Sequence, residues 1–364
     1  MQHNGRRGRV RARPRDGTGP QREPGQRVNA RAVAMVALAA TLAACSTGGP
    51  SGPDPSLTGI PTPAIPATST ATPDAPPAQG PPEGFYDAGS SADTAYARLL
   101  LEGREADAAL IKLIADQPSA VWIGDWQSAQ SAHDTVQLVS RGAAAANRIP
   151  VFVIYAIPGR DCGLYSAGGL PEDQYLGFID AVATAVSDAS SDVWIVLEPD
   201  ALAQLGECEG QGDRAGLLGA AARILDQAGA SVFLDAGNSN WIGVDETVRR
   251  LNQVGTAHLT GFATNTSNYN TTANEQAWGE QIAAQTGLSF VVDTSRNGNG
   301  SDGQWCNPRG RALGEAPRLI AEGPMVATVW VKAPGESDGT CNGGPAAGQW
   351  WQEIALEMAR NAQP

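Results

Sequence analysis

From residue 92 onward, short apolar runs alternate with longer stretches in which apolar residues return every three or four positions. The longer stretches predict helices over residues 92–116, 128–147, 172–187, 214–228, 246–254, 274–286 and 349–360. The runs between them predict strands over residues 120–123, 151–155, 193–197, 232–235, 261–264, 290–293 and 325–330, rich in β-branched or aromatic residues and too short for helices. Unbroken apolar runs belong to strands covered on both faces, so this order predicts βα units around a parallel sheet. Residues 85–364 suit one barrel-sized α/β domain. Each strand is followed by a loop rich in polar or aromatic residues. In parallel α/β proteins such loops open to solvent at the carboxyl ends of the strands, where rigid bases hold reacting groups.

Ahead of residue 85 the pattern changes. Residues 1–31 are rich in Arg, Gly and Pro with no apolar period, and residues 32–44 form an apolar run too short to span a bilayer but the size of a signal-peptide core. The run ends in Leu42, Ala43, Ala44 and Cys45, which resembles the lipobox of bacterial lipoproteins. Residues 1–44 are thus expected to be an export signal and Cys45 the lipidated residue, placing the protein on the outer face of the cell membrane. Ordinary cleavage after Ala44 would instead leave it secreted. Residues 45–84 are Pro, Thr, Ser, Ala and Gly with almost no large apolar side chain, a composition that reads as a disordered linker.

The formal charge is -13, and the first 44 residues hold nine Arg against Asp16 and Glu23, so the remainder is more acidic still. So acidic a surface argues against nucleic acid and against an anionic membrane, leaving membrane contact to the lipid anchor alone. A neutral or cationic substrate is easier to accommodate, and a monomer is expected. Nine Trp against six Phe is more Trp than core packing asks for, and flat amphipathic rings stack on sugars. Beyond Cys45 stand Cys162, Cys208, Cys306 and Cys341, an even number in an exported chain, so disulfides are expected. Three pairings are possible; proximity along the chain favours Cys162 with Cys208 and Cys306 with Cys341. No close Cys spacing and three scattered His argue against a metal, and no cofactor is expected.

The strand over 193–197 stops at Pro199, which cannot donate to a ladder, and Asp200 sits just past it. Asp161 follows the strand over 151–155 in the same way. Two strand-end carboxylates beside a polar cleft point to acid/base chemistry on a glycosidic bond. Either Asp alone also fits a loop cap.

Residues 151–163 (VFVIYAIPGRDCG) and 195–202 (IVLEPDAL) resemble the two signatures of glycoside hydrolase family 6, the inverting cellulases. The likeness continues through residues 234–237 (LDAG) with Trp241, 263–270 (ATNTSNYN), 293–298 (DTSRNG), 305–308 (WCNP) and 331–339 (VKAPGESDG), in order across the whole folded region. It implies a distorted, TIM-like barrel of about seven parallel strands with an open seam, and cleavage of β-1,4 bonds in glucans with inversion. By motif, Asp200 matches the general acid and Asp161 the carboxylate that keeps it protonated. Tyr155 matches the tyrosine under the distorted ring, and Asp338 a third acidic residue proposed as base. A water chain ending at Asp161 or at a backbone oxygen is the other route for the base. Trp122, Trp241 and Trp305 match stacking residues, and Lys332 and Glu336 match polar groups that hold hydroxyls. Asn265, Asn268 and Arg296 fit either sugar contacts or loop braces, and Arg160 beside Asp161 fits either a surface pair or a guanidinium that helps keep one carboxylate ionised.

Two departures bear on binding. Asn238 stands where the family usually has His, and Val244 where a second Trp is frequent. In the loop after Cys162, Ser166 is the candidate for the serine that holds a catalytic water. The short segment from Cys306 to Cys341 favours an internally cutting enzyme over an exo-acting cellobiohydrolase, and no carbohydrate-binding module is visible. The rivals are a non-catalytic glucan-binding lipoprotein and a retaining hydrolase.

Overall fold

The computed structural model describes residues 81–362. The expected signal, Cys45 and nearly all of the linker lie outside these residues. Eight strands form one sheet among them: β1 (Val121–Gly124), β2 (Val151–Tyr155), β3 (Val193–Leu197), β4 (Ala230–Asp235), β5 (Gly261–Thr264), β6 (Ser289–Asp293), β7 (Arg318–Leu319) and β8 (Met325–Val329). Their order is β1-β2-β3-β4-β5-β6-β8-β7, all parallel except β7, which runs antiparallel to β8. Seven parallel strands meet the expectation. The two-residue β7 is an addition, because a pair of exposed residues carries no readable period.

The sheet curls until its first strand approaches β8. The Ala120 N–H donates to the Trp330 carbonyl (2.9 Å) and the Trp122 indole to the Val331 carbonyl (2.8 Å), with no ladder between the two strands. The barrel is therefore closed everywhere but at this seam. Inside it pack Val153, Val196, Phe233, Ala263, Val291 and Val329, with Phe85 closing the lower end against Trp194. The alternate residues of the same strands, Phe152, Ile154, Ile195, Leu197, Val232 and Phe290 among them, face the helices. Burial on both faces explains why the strands read as unbroken apolar runs; each large side chain so buried stabilises by about 1.5–3 kcal/mol.

The helices are α1 (Ser91–Leu101), α2 (Glu105–Ala115), α3 (Ala129–Ala146), α4 (Glu172–Ser187), α5 (Arg214–Gln227), α6 (Val244–Val254), α7 (Thr272–Thr286) and α8 (Gln352–Asn361). The single helix expected over 92–116 is two. Gly103 takes φ +71°, and the Arg104 N–H folds back to the Leu99 carbonyl (2.9 Å), which ends α1 and starts α2 on a new axis. The apolar period runs through the break because both helices bury one face of a common cluster with α8 and Trp330.

Candidate active site

The functional side chains stand on the loops that follow the parallel strands. After β3 the backbone leaves the sheet through two left-handed residues, Glu198 (φ +49°) and Asp200 (φ +69°), on either side of Pro199. What holds this turn is the Glu198 carboxylate. It is fully buried and accepts from the N–H groups of Ala156 (2.9 Å) and Ile157 (3.0 Å), at the start of the loop that carries Asp161. One side chain thus fixes the loop of Asp200 to the loop of Asp161. The Cys162–Cys208 disulfide (Cα–Cα 5.7 Å) joins the same two loops farther out, and Cys306–Cys341 (6.1 Å) joins the loops after β6 and β8. Both bridges are the pairings that chain proximity favours.

Around Asp200 the negative charge is concentrated. Its carboxyl is pushed well above the ordinary carboxylate range, first by desolvation and then by the charges of Asp235, Asp161 and Asp338, while the neighbouring Tyr155 hydroxyl pulls the other way. Asp235, at the end of β4, accepts from the backbone N–H of Asp200 and of Gly237 (3.0 Å each) and is itself pushed up to about 7 by burial. Around neutral pH the pair therefore retains at least one proton. Burial likewise pushes Glu198 up to about 7, against its backbone bonds. Asp161 faces the same space, with its Oδ2 accepting from the N–H (2.9 Å) and hydroxyl (2.8 Å) of Ser166. The Ser166 oxygen lies 3.2 Å from the Tyr155 hydroxyl, so Tyr155, Ser166 and Asp161 form one hydrogen-bonded row. The other Asp161 oxygen has only a 3.4 Å contact from Gln204.

Asp338 is built differently. It pairs with the buried Arg296 (2.9 and 3.1 Å) and accepts from the Tyr269 hydroxyl and the Asn307 N–H (3.0 Å each). Its lone pairs are largely filled. Beside it Lys332, whose ammonium burial depresses, lies 3.8 Å from Glu336 and 5.7 Å from the Trp122 ring; Glu336 in turn accepts from the Ser91 hydroxyl (3.2 Å).

Beside these buried supports lies one groove of about 1180 Å³. It gathers Tyr155, Asp161, Asp200 and Asp338 with Trp122, Trp241, Trp305, Lys332, Glu336 and Asn238. Trp122, Lys332 and Glu336 lie at the seam end, Asn238 and Trp241 at the β4 end, and the carboxylates between them. Asn238 accepts from Asn270 and the Asn240 N–H, while its amide nitrogen donates to no described residue and is left for the groove. Two expectations are corrected. Asn265 is fully buried and spends its amide on the carbonyls of Asn270 (3.1 Å) and Asp293 (2.8 Å), so it braces the loops rather than meeting a ligand. Arg160 pairs with Asp125 (2.6 Å) and packs over the Tyr155 ring (4.4 Å), so its charge is directed away from Asp161.

Sequence reasoning gave no role to Asp235 or Glu198, or to the groove-lining Trp126 and Tyr165. Asp235 carried a usable signal, since it ends an apolar strand as Asp161 and Asp200 follow theirs. Glu198 carried none, because its partners are backbone N–H groups more than forty residues away.

The sequence profile of the family described as "Glycosyl hydrolases family 6" matches residues 85–362. The chain is 56% identical over 259 residues to Endoglucanase A of Cellulomonas fimi, covering 71% of this chain and 57% of that protein. It therefore spans little more than half of that relative. It is 39% identical over 296 residues to Endoglucanase 1 of Streptomyces halstedii, covering 76% and 88% of the two chains. Among solved structures, the endoglucanase Cel6 from Mycobacterium tuberculosis, in complex with methyl-cellobiosyl-4-deoxy-4-thio-β-D-cellobioside, superposes with a TM-score of 0.71 at 38% identity, covering 78% of this chain and 97% of that one.

Proposed function

The chain belongs to glycoside hydrolase family 6, and within it we infer an endo-acting β-1,4-glucanase that cuts internal bonds of cellulose or soluble β-glucans with inversion at the anomeric carbon. The observation that carries this reading is the pair of unlike carboxyls in one groove: Asp200, desolvated and kept protonated, facing Asp161, which has a serine on one oxygen and only a long bond from Gln204 on the other.

The chemistry follows from that asymmetry. A glucan lies along the groove with its rings on Trp122, Trp241 and Trp305 and its hydroxyls on Lys332, Glu336 and the free amide of Asn238. Asp200 gives its proton to the bridging oxygen as the bond to the anomeric carbon breaks. A water on the opposite face attacks that carbon, and its proton passes through solvent held by Ser166 to the weakly bonded oxygen of Asp161. The product hemiacetal has inverted configuration. Tyr155, stacked under Arg160 and tied to Ser166, forms the floor on which the ring at the cleavage point distorts. Asp338 is held by Arg296, Tyr269 and Asn307 as a fixed negative charge that favours the developing oxocarbenium ion. The base role passes to Asp161, because filled lone pairs accept protons poorly.

Internal cutting is supported by the short segment between Cys306 and Cys341 and by the names of the Cellulomonas and Streptomyces relatives. A reducing-sugar assay on carboxymethyl cellulose with viscosity in parallel tests it. A steep viscosity drop per bond broken is expected, with a loss of at least 10³-fold for Asp200→Ala. Equal behaviour of wild type and variant would leave only a glucan binder. Product NMR in the first minutes reads the anomer, and a retained configuration would sink the inverting mechanism.

Two disulfides fit an exported protein. The apolar run ending in Leu42, Ala43, Ala44 and Cys45 supports lipid anchoring. Palmitate labelling that survives Cys45→Ala would rule it out.

A further inference from the structure

The chain carries nine Trp, and exposure divides them. Among the described residues three remain at least 36% exposed, Trp126 (55%), Trp305 (47%) and Trp241 (36%), and all three line the groove. Trp241 and Trp305 are stacking platforms in the glucanase reading above. Trp126 is the most exposed of the three and has no part in that reading.

The Trp126 ring is held from beneath. It follows β1 by two residues and lies over Gly124, where a Cβ would come within 2.3 Å of the ring, so the indole rests on bare backbone at the end of the strand. The Arg160 guanidinium stands 5.6 Å from the ring centroid and is fixed there by Asp125 (2.6 Å) and the Tyr155 carbonyl (2.8 Å). The Trp126 indole N–H donates to no described residue. By contrast, the Trp122 indole is spent on the Val331 carbonyl and the Trp330 indole on the Glu315 carbonyl (2.8 Å each). A flat apolar ring, supported below and bare above with a donor at its edge, matches a pyranose: the C–H face covers the ring and a hydroxyl meets the N–H. Trp122 and Tyr155 touch edge to face (5.4 Å), so they serve the units at and beside the cleavage point. Trp126 meets that pair only through the Arg160 side chain, which also packs over Tyr155 (4.4 Å). The unit it takes is therefore a further one.

Resting on the glucanase reading above, we propose that Trp126 is a specificity-determining residue: a fourth stacking platform that binds an additional glucosyl unit on the β1 side of the groove, so that long β-1,4-glucans are favoured over short ones. Val244 leaves the loop after β4 without a second Trp, so the aromatic surface of the groove is shifted toward β1. Stacking on a unit that does not react stabilises bound substrate and transition state alike, which lowers KM and leaves kcat unchanged. The rival role is a cover that keeps water from the Asp125–Arg160 pair and so holds Tyr155 in place.

The test compares wild type with Trp126→Ala and Trp126→Phe on cellotetraose and cellohexaose, with melting temperatures in parallel. Trp126→Ala is expected to raise KM for cellohexaose about fivefold, with kcat within about twofold of wild type and KM for cellotetraose unchanged. Trp126→Phe, which retains a stacking face, should recover most of the lost affinity. An unchanged KM for cellohexaose overturns the platform, and an equal rise for both substrates overturns the additional unit. A loss of kcat on both substrates, with or without a lower melting temperature, would make Trp126 the cover of the ion pair and overturns the proposal as well. Wild type inactive on every β-1,4-glucan would instead overturn the glucanase reading, so the two failures are distinct.

Discussion

Asp200 and Asp338 open on the same groove, yet the protein treats the same carboxyl group in opposite ways. Asp200 sits among other carboxyls with its charge desolvated, so its proton is retained. Asp338 has a guanidinium, a phenol and an amide N–H all directed at it. The first arrangement makes a proton donor and the second a buried ion pair. The difference lies in what each loop brings near: β4 delivers Asp235 to Asp200, while β6 delivers Arg296 to Asp338. An acid must be kept in an environment that is poor for its charge, and that is a cost to the fold. A fixed charge must be paired, and the pairing stabilises only while both partners remain.

The largest effect is expected from breaking the Asp338 side. Arg296→Met leaves that carboxylate buried without its counter-charge, a loss of about 3–5 kcal/mol. At about 2 °C per kcal/mol for a domain of this size, calorimetry should show the melting temperature falling by about 8 °C. Adding Asp338→Asn to the same chain should recover part of the loss. A single variant that melts like wild type would mean the pair is not holding the charge.

Next comes the Asp200 side, through its neighbour. Asp235→Asn keeps the acceptor for the Asp200 N–H but removes the adjacent negative charge, so Asp200 ionises more easily. The alkaline limb of the kcat/KM profile should move to lower pH by about one unit. Stability reports the same asymmetry. Asp235 and Glu198 are pushed up to about 7 in the fold, whereas an unfolded chain releases those protons near pH 4. The folded form then holds more protons than the unfolded one between about pH 4 and 7. The contribution of these two groups to stability should therefore be full below about pH 4, fall as pH rises to about 7, and level off above. In Asp235→Asn that fall should be shallower, with a higher melting temperature than wild type at pH 8. A pH profile identical to wild type in rate and in melting would remove Asp235 from the account.

The smallest effect concerns the clamp between the loops of Asp200 and Asp161. Glu198→Gln retains one acceptor for the Ala156 and Ile157 N–H groups but turns an amide donor toward the rest. A drop in kcat of about tenfold with little change in KM is expected, the mark of misplaced groups rather than lost binding. A change confined to KM would assign Glu198 to substrate binding instead.

Several aspartates end or follow strands, and the sequence treats them alike. Asp161, Asp200, Asp235 and Asp293 all stand at the end of a short apolar run. In the fold Asp293 accepts from the N–H groups of Ser267, Ser295 and Lys332 (2.9–3.1 Å) and so ties loops together. Asn265, directly after β5, braces the same knot. The helix over 92–116 failed for a related reason: its period is continuous, and only the turn at Gly103 shows that the face is shared by two axes.

By itself the sequence determined the alternation of strand and helix, because burial on both faces of a parallel sheet demands unbroken apolar runs and the helices between them a regular period. It determined the seven parallel strands, placed Asp161 and Asp200 beyond two of them, and favoured the two disulfides seen. Which carboxyl keeps a proton, which is paired with a guanidinium and which is spent on backbone were decided only by the tertiary structure. A side chain's charge state depends on the solvent and charges within a few ångströms of it, and for these residues those neighbours are tens of positions away along the chain.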